Sequence, residues 1–425
     1  MTAVRPALAR IAALSRRLVV AAVLLLLLLS GCAGSVPPPA PIVSSLPNVA
    51  TDVWDGRGQL VNQEPFDDPP LADPEAVLGR AWKAVYRSVS GVDGGMREIS
   101  GSFFLPSGTP PKGGWPVISL AHGTVGIGNN CGPSRQPDLQ GYGFMIEGLL
   151  KNKYAVALTD YEGLGASGSH PYLEPRTEAF NTIDAVRALR NLTATVSDRW
   201  IGVGYSQGGQ AVWAANELNS YYGSDLQLQG SVALAPATNL SGAADLVLSK
   251  SMTDEQRALF PTVIVGLARY NPDLDARSFL HESTKGYQKS LGSCQPRRGH
   301  SRKTVPAPVP WDPVAWRVRE SNDMEPETRQ DVAKLKEVLR RVAIPQGPLN
   351  QPMLVISAER DDVVFPAWVR MAVSRSCELG GQVEYLQADA RHDDILWKAF
   401  RPVDRWLADR FAGTTAPSNC PPTQG

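Results

Sequence analysis

The sequence predicts an α/β fold, with a mostly parallel sheet, helices on both faces and a helical cap insertion. Apolar strand-like segments alternate with helical segments from Tyr154 to Ala235, and this order returns at Met353. Between Pro236 and Gln351 the alternation gives way to mostly helical patterns. Strands joined by helices form parallel sheets covered on both sides, so we interpret the intervening block as an insertion.

Each element is predicted from its apolar spacing and its bounding residues. A capping box at Thr253–Gln256 opens one cap helix, and an apolar stripe from Val332 to Val342 marks another. The predicted strands are 84–90, 97–105, 115–121, 154–159, 200–204, 231–235, 353–356 and 383–386. Outside the cap, helices are predicted at 177–191, 210–221 and 395–411.

Composition excludes several classes of protein. The 425 residues are 43% hydrophobic and 20% charged, which is typical of a folded protein with a large core. Because 42 basic residues balance 42 acidic ones, the chain lacks the excess of positive charge that nucleic-acid binding requires. Five cysteines are too few for a disulfide-dense scaffold. We therefore expect a self-supporting core and no nucleic-acid partner.

Residues 1–31 resemble a lipoprotein signal peptide. Four arginines precede an apolar run, Leu18–Leu29, that is shorter than the ~20 residues of a membrane-spanning helix. The run ends in Leu-Ser-Gly-Cys32, which resembles the lipobox of bacterial lipoproteins, where the signal peptidase cuts before the cysteine and the thiol receives lipid. This predicts an extracytoplasmic protein with a lipid anchor in the membrane; an ordinary secretion signal or an anchor helix is the alternative.

The remaining boundaries follow from composition. Residues 32–75 are rich in Pro, Ser, Asp and Gly, which predicts a tether. We expect the core at 76–240 and 351–415, the cap at 241–350 and a tail at 416–425. Without the four arginines of the first 31 residues, the chain has 38 basic and 42 acidic residues, which argues against electrostatic binding to an anionic membrane surface.

Four cysteines remain after Cys32. An even number in an exported protein predicts two disulfides, for which three pairings are possible. Of these we favour Cys131–Cys294 and Cys377–Cys420. No cysteine or histidine spacing resembles a zinc site, and we predict neither a metal nor a cofactor.

The candidate nucleophile is Ser206. It is the centre of Gly204-Tyr-Ser-Gln-Gly208, between a predicted strand and a predicted helix. This is the setting of a nucleophile elbow, in which the glycines remove side chains that would collide at the sharp turn. The N–H of Gln207 then lies at a helix N-terminus on the same side as the serine hydroxyl.

A serine hydroxyl needs a base to take its proton. His392 follows the last predicted strand and precedes the closing helix, which fits the chain order serine, acid, histidine of this architecture. For the acid, the loop after strand 353–356 offers three carboxylates. We choose Asp361 over Asp362 and Glu359, because the Asp-x-x-Val pattern before a proline places the first aspartate at the bend.

A second oxyanion-hole donor is expected in the loop after strand 115–121. That loop reads His122-Gly123-Thr124, and the glycine lets the backbone turn so that a following N–H faces the developing charge. We predict the N–H groups of Thr124 and Gln207 as the two donors, with His122 supporting the loop.

Together these motifs resemble the secretory lipase family of α/β-hydrolases, known from fungi and from actinobacterial lipoproteins. The resemblance runs from about residue 77 to 411 and also includes Cys131-Gly-Pro-Ser134 and Asp160-Tyr161-Glu-Gly-Leu-Gly165. It implies hydrolysis of acyl esters or lipids by Ser206, Asp361 and His392, and a cap that lines an acyl pocket. Asp160 and Tyr161 match a family motif near the site, for which we expect a supporting role.

Two other classes of function share these features. An acyltransferase or a peptidase can use the same triad, because fold and triad do not choose the leaving group. A catalytically silent lipoprotein that binds lipid or another protein is the second alternative, but it would be expected to have lost a triad member or the elbow. The sequence therefore favours a serine esterase or lipase.

Overall fold

The computed structural model describes residues 38–281, 294 and 324–421. The predicted signal peptide and Cys32 lie outside these residues, as does part of the predicted cap. None of the described helices is long and apolar enough to cross a membrane.

The described strands form one nine-stranded sheet, in the order β1-β2-β3-β5-β4-β6-β7-β8-β9. The first three pair antiparallel, and β3 also pairs antiparallel with β5. From β5 to β9 every neighbouring pair is parallel, as predicted. The strands are β1 Leu60–Pro65, β2 Leu78–Val89, β3 Met96–Pro106, β4 Trp115–Ala121, β5 Ala155–Thr159, β6 Val196–Tyr205, β7 Gln227–Leu234, β8 Met353–Ala358 and β9 Val383–Ala388.

Helices cover both faces of the sheet. The described α-helices are α1 Thr51–Asp55, α2 Pro74–Val77, α3 Gly143–Lys151, α4 Pro175–Leu192, α5 Gln207–Glu217, α6 Asn219–Tyr222, α7 Ala243–Leu248, α8 Asp254–Ala268, α9 Arg329–Arg341, α10 Pro366–Glu378, α11 Ile395–Lys398 and α12 Phe400–Phe411. One apolar cluster joins the sheet to α4, α5 and α10, and a second joins the other face to α3, α11 and α12. Every residue of β5 and β8 is buried, as continuous apolar runs in a parallel sheet require.

The predicted tether at residues 32–75 is wrong in part. Helix α1 and strand β1 lie within it, and β1 pairs with β2 through, for example, Glu64 and Lys83. All but one residue of β1 are exposed. An edge strand that faces solvent carries polar side chains, so its composition resembles that of a linker. The region before α1 also contacts the body, because the N–H of Ile42 donates to the carbonyl of Arg340.

The described part of the cap has its own apolar cluster, to which α7, α8 and α9 contribute. The capping box predicted for α8 is confirmed: Thr253 Oγ1 accepts from the N–H of Gln256, and Gln256 Oε1 accepts from the N–H of Thr253. The apolar stripe predicted for α9 is buried at Val332, Leu335, Val338 and Leu339.

Disulfides join Cys131 to Cys294 and Cys377 to Cys420. The first links the loop after β4 to the insertion, and the second links the end of α10 to the C-terminal tail. The tail also lies along the outer edge of β9, where Asn419 donates to the carbonyl of Val383. The predicted tail is therefore fastened to the sheet both covalently and by hydrogen bonds.

Candidate active site

Ser206 lies on a sharp turn between β6 and α5. Its backbone has φ 54° and ψ −115°, a conformation that costs free energy in a residue with a side chain. The turn is fixed from both sides, since the N–H of Ser206 donates to the carbonyl of Leu234 and its own carbonyl accepts from Ala237. A Cβ on Gly204 would collide with the carbonyl of Gly208. The predicted reason for glycine at this position is thereby confirmed.

The structure brings the three predicted triad residues together in one hydrogen-bonded chain. Ser206 Oγ lies 2.9 Å from His392 Nε2, and His392 Nδ1 lies 2.7 Å from Asp361 Oδ2. All three residues are buried, with Ser206 the most exposed at 9%. Because a carboxylate only accepts, Nδ1 carries the proton and Nε2 presents its lone pair to the serine hydroxyl. This is the arrangement in which the imidazole can take the serine proton.

The three candidate acids differ in their contacts, and of them Asp361 is the one that contacts His392. Asp361 Oδ1 accepts from the N–H groups of Val363 and Val364 at 2.9 and 2.8 Å, which leaves Oδ2 for the histidine. Asp362 points away and forms an ion pair with Arg391 at 3.0 Å. Glu359 is exposed. The bend predicted from Asp-x-x-Val is therefore formed by the first aspartate.

The cap contacts this acid loop directly. Thr253 Oγ1 donates to the carbonyl of Asp362, and Gln256 Nε2 donates to the carbonyl of Val363. The start of α8 is thus hydrogen-bonded to the two residues that follow Asp361.

The two residues predicted to supply the oxyanion donors line one pocket together with Ser206. Thr124 follows β4, and Gln207 is the first residue of α5. The loop that carries Thr124 is held by tyrosines: the N–H of Gly123 donates to Tyr142 Oη, and Thr124 Oγ1 hydrogen-bonds Tyr172 Oη at 2.7 Å.

The residues expected to support this loop form hydrogen bonds within it and to the loop after β5. His122 is buried and faces the carbonyls of Gly123 and Asp160, and burial lowers the pKa of the imidazole. Tyr161 Oη donates to the carbonyl of His122. The Asp160 carboxylate accepts from Ser100 Oγ and from the N–H and Oγ of Ser134. These contacts hold the loop after β4 against the loop after β5.

Sequence reasoning missed a polar cluster behind the elbow. Gln207 Nε2 donates to Glu178 Oε1 at 2.7 Å and lies 3.0 Å from His170 Nε2. All three side chains are buried. Glu178 lies in the first turn of α4 and His170 in the loop before it, so no local pattern relates them to the serine.

Two pockets meet at Ser206. The first, which we call the entrance pocket, is lined by Tyr142, Phe144, Tyr205, Glu255, His392, Asp393 and Leu396, among others. The second, which we call the cap pocket, lies under the described cap and encloses about 680 Å³ together with the solvent at its mouth. Its lining is mostly apolar and includes Met252, Leu259, Phe260, Val263, Leu339 and Trp368. Thr124, Ser206, Leu259 and Val363 line both.

Within the described residues, no group of three or more His, Cys, Asp or Glu side chains is arranged to hold a metal ion.

Comparison with known proteins supports the expectation from the motifs. The family model described as secretory lipase matches residues 138–297, a segment that contains Ser206 and the start of the cap. Comparison with curated proteins gives no match.

Solved structures share the fold. Candida antarctica lipase A in its closed state is 19% identical, with a TM-score of 0.64 over 91% of this chain and 89% of that one. A putative hydrolase from Legionella pneumophila is 19% identical, with a TM-score of 0.63 over 84% and 98%. The rice cell wall degrading esterase from Xanthomonas oryzae is 19% identical, with a TM-score of 0.61 over 84% and 100%.

At this level of identity the solved structures establish the α/β-hydrolase fold. The family match concerns the sequence itself and includes the elbow. The resemblance to the secretory lipase family is therefore confirmed over residues 138–297, and the match identifies the chain as a carboxylic-ester hydrolase.

Proposed function

We propose that this protein is a serine esterase that acts outside the cytoplasm on short or medium acyl esters, through Ser206, His392 and Asp361. The observation that carries the proposal is the hydrogen-bonded chain of 2.9 and 2.7 Å that ends at a serine in a strained elbow. Strained backbone at a buried serine is characteristic of a nucleophile held in place for reaction.

The chemistry follows from the proton positions. Ser206 Oγ attacks the ester carbonyl while its proton passes to His392 Nε2, and Asp361 stabilises the imidazolium without taking the proton. The N–H groups of Gln207 and Thr124 would stabilise the negative charge on the carbonyl oxygen. The imidazolium then protonates the departing alkoxide, which leaves an acyl group on Ser206. Water, deprotonated by His392, releases the acid in the second half of the reaction.

The two pockets support ester hydrolysis over peptide cleavage. The cap pocket offers an apolar surface for an acyl chain, and its lining reaches Ser206 itself. The entrance pocket, on the side of His392, would hold the alcohol. An acyl chain in the cap pocket would gain at most ~0.8 kcal/mol for each buried methylene.

The test is a pair of serine variants. Ser206→Ala should abolish labelling by a fluorophosphonate and lower hydrolysis of p-nitrophenyl butyrate by several orders of magnitude, since the acyl-enzyme cannot form. Ser119→Ala, which removes a buried serine hydroxyl from β4, is the matched control and should keep both. Substantial turnover by a folded Ser206→Ala protein would contradict the proposal, as would peptide cleavage or acyl transfer that outpaces hydrolysis.

We further propose that Cys32 carries a lipid that anchors the protein to the membrane. The lipobox-like Leu-Ser-Gly-Cys supports this, and the two disulfides suit an oxidising compartment. Cys32→Ser should move the protein to the soluble fraction or leave an uncleaved precursor, whereas Ser30→Ala, which keeps a small residue, should not. Membrane retention of a processed Cys32→Ser protein would disprove the anchor.

A further inference from the structure

The side chain of Gln207 is held by two acceptors. One amide hydrogen goes to Glu178 Oε1, at 2.7 Å, and the other points to His170 Nε2, at 3.0 Å. His170 Nδ1 lies 2.8 Å from the carbonyl of Glu162, so Nδ1 must be the donor and Nε2 the acceptor. Burial lowers the pKa of His170 to about 3, which keeps the ring neutral and preserves this tautomer. The orientation of the Gln207 amide is therefore fixed.

Two side-chain oxygens of this cluster have no hydrogen-bond donor among the described residues. Glu178 Oε2 and Gln207 Oε1 are buried, and neither accepts a hydrogen bond from the described residues. Glu178 Oε1 is already used, since it accepts from Gln207 and from the N–H of Leu173. An ionised Glu178 would thus leave two buried acceptors, one on each partner of the Glu178–Gln207 hydrogen bond, without a donor, which is costly. A protonated Glu178 has the O–H donor that these two groups lack, and an acid and an amide already joined by one hydrogen bond can close a two-bond ring.

We propose that Glu178 is held as a neutral carboxylic acid that donates to Gln207 Oε1, and that this pair positions the Gln207 backbone N–H for the oxyanion. The second half rests on the proposed function, in which Ser206 is the nucleophile and Gln207 a donor. Burial raises the pKa of Glu178 well above its usual range, and the nearby Glu174 carboxylate adds to the rise. Glu178 is a positioning residue, since it acts through Gln207.

The place of Gln207 in the chain explains how Glu178 can position the Gln207 N–H. Gln207 is the first residue of α5 and directly follows the strained Ser206, so rotation of its peptide would move both the nucleophile and the donor. Glu178 belongs to α4 and His170 to the preceding loop. The acid–amide pair therefore ties the elbow to elements outside the strand that carries it.

Infrared spectroscopy tests whether the Glu178 carboxyl carries a proton. The carbonyl stretch of a protonated carboxyl should be present in the wild type at neutral pH and one such band should be lost in Glu178→Gln. Glu174→Gln is the matched control, because Glu174 is also buried but its oxygens accept from Thr177 and Arg176 as a carboxylate should. A wild-type spectrum that Glu178→Gln leaves unchanged would overturn the neutral acid.

Steady-state kinetics test whether Glu178 positions the Gln207 N–H. Glu178→Gln should keep kcat near the wild-type value, since its amide can donate to Gln207 Oε1 and accept from Gln207 Nε2. Glu178→Met has a similar length but no polar atom, and should lower kcat on p-nitrophenyl butyrate by about 5- to 150-fold with little change in KM. If Glu178→Met does not fold, Gln207→Met is measured in its place, because it removes the same acid–amide pair by changing the glutamine. Equal losses in Glu178→Gln and Glu178→Met, or none in any folded apolar variant, would overturn the positioning role.

These outcomes are separable from a failure of the proposed function. If Ser206→Ala retained activity, the nucleophile assignment would fail whatever the infrared band shows. If Ser206 is labelled and essential while Glu178→Met keeps full kcat, only the positioning role fails.

Discussion

The triad and the cap pocket meet at Ser206, yet they are held together by different interactions. The triad depends on a few directional hydrogen bonds: Asp361 Oδ2 accepts from His392, and Asp361 Oδ1 accepts from two backbone N–H groups. The cap pocket is lined by many apolar side chains from several helices. Leu259, for example, belongs to α8 and Leu339 to α9. A change in the triad should therefore affect every substrate, whereas a change in the cap should discriminate among acyl chains.

The largest effect is expected at the acid. Asp361→Asn should lower kcat by ~10⁴-fold on all esters, because an amide in this position favours the wrong histidine tautomer. Asp362→Asn removes only a surface ion pair with Arg391, which is worth ~0–1 kcal/mol, and should leave kcat nearly unchanged. The measurement is kcat on acetate and octanoate esters for both variants. Similar losses in the two variants would mean that Asp361 is not the acid.

A smaller effect concerns stability near the triad. His170 is neutral when folded, with a pKa lowered to about 3 by burial, whereas the unfolded histidine titrates near ~6.5. Below that pH the unfolded state binds the additional proton. The stability that His170 contributes is thus complete above pH ~6.5 and is lost as the pH falls toward about 3, by up to ~1.4 kcal/mol per pH unit.

Denaturant unfolding between pH ~6.5 and ~4.5 measures this loss. His170→Gln should unfold with a shallower dependence on pH than the wild type. The dependence should not vanish, because buried His122 also has a lowered pKa and acts in the same direction. Tyr161, Tyr172 and Gln207 lie near the His170 ring, and the charges of His122 and Arg269 both act to lower its pKa further. An identical slope in the variant would show that His170 does not titrate on unfolding.

Local pattern was sufficient to place the residues of the proposed triad, because each lies just after the end of a strand. Ser206, Asp361 and His392 each follow a strand, so strand prediction placed them at the same edge of the sheet. Glu178 could not be found in this way. It lies inside a helix whose apolar spacing predicts packing, and only the tertiary structure brings it to Gln207.

Composition predicts a linker wrongly where a regular strand is exposed and therefore polar. Strand β1 carries polar side chains because it is an exposed edge, and its composition therefore predicts a tether. Within α8, periodicity shows which face is apolar but not which apolar residue reaches the pocket. Ile264 is fully buried in the cap cluster, whereas its neighbour Val263 lines the cap pocket.

The smallest and most selective effect is therefore expected at Val263. Val263→Asn places an amide in the cap pocket, where an acyl chain would leave it without a partner, so activity should fall on longer esters and be spared on acetate. Each methylene that can no longer be buried should cost up to ~0.8 kcal/mol, or about fourfold in kcat/KM. Val265→Asn is the matched control, since Val265 is a half-buried valine of the same helix outside the pocket lining. If Val263→Asn lowered activity on acetate and octanoate by one common factor, the cap would hold the triad in place through α8 and the acid loop, and acyl length would have to be selected elsewhere.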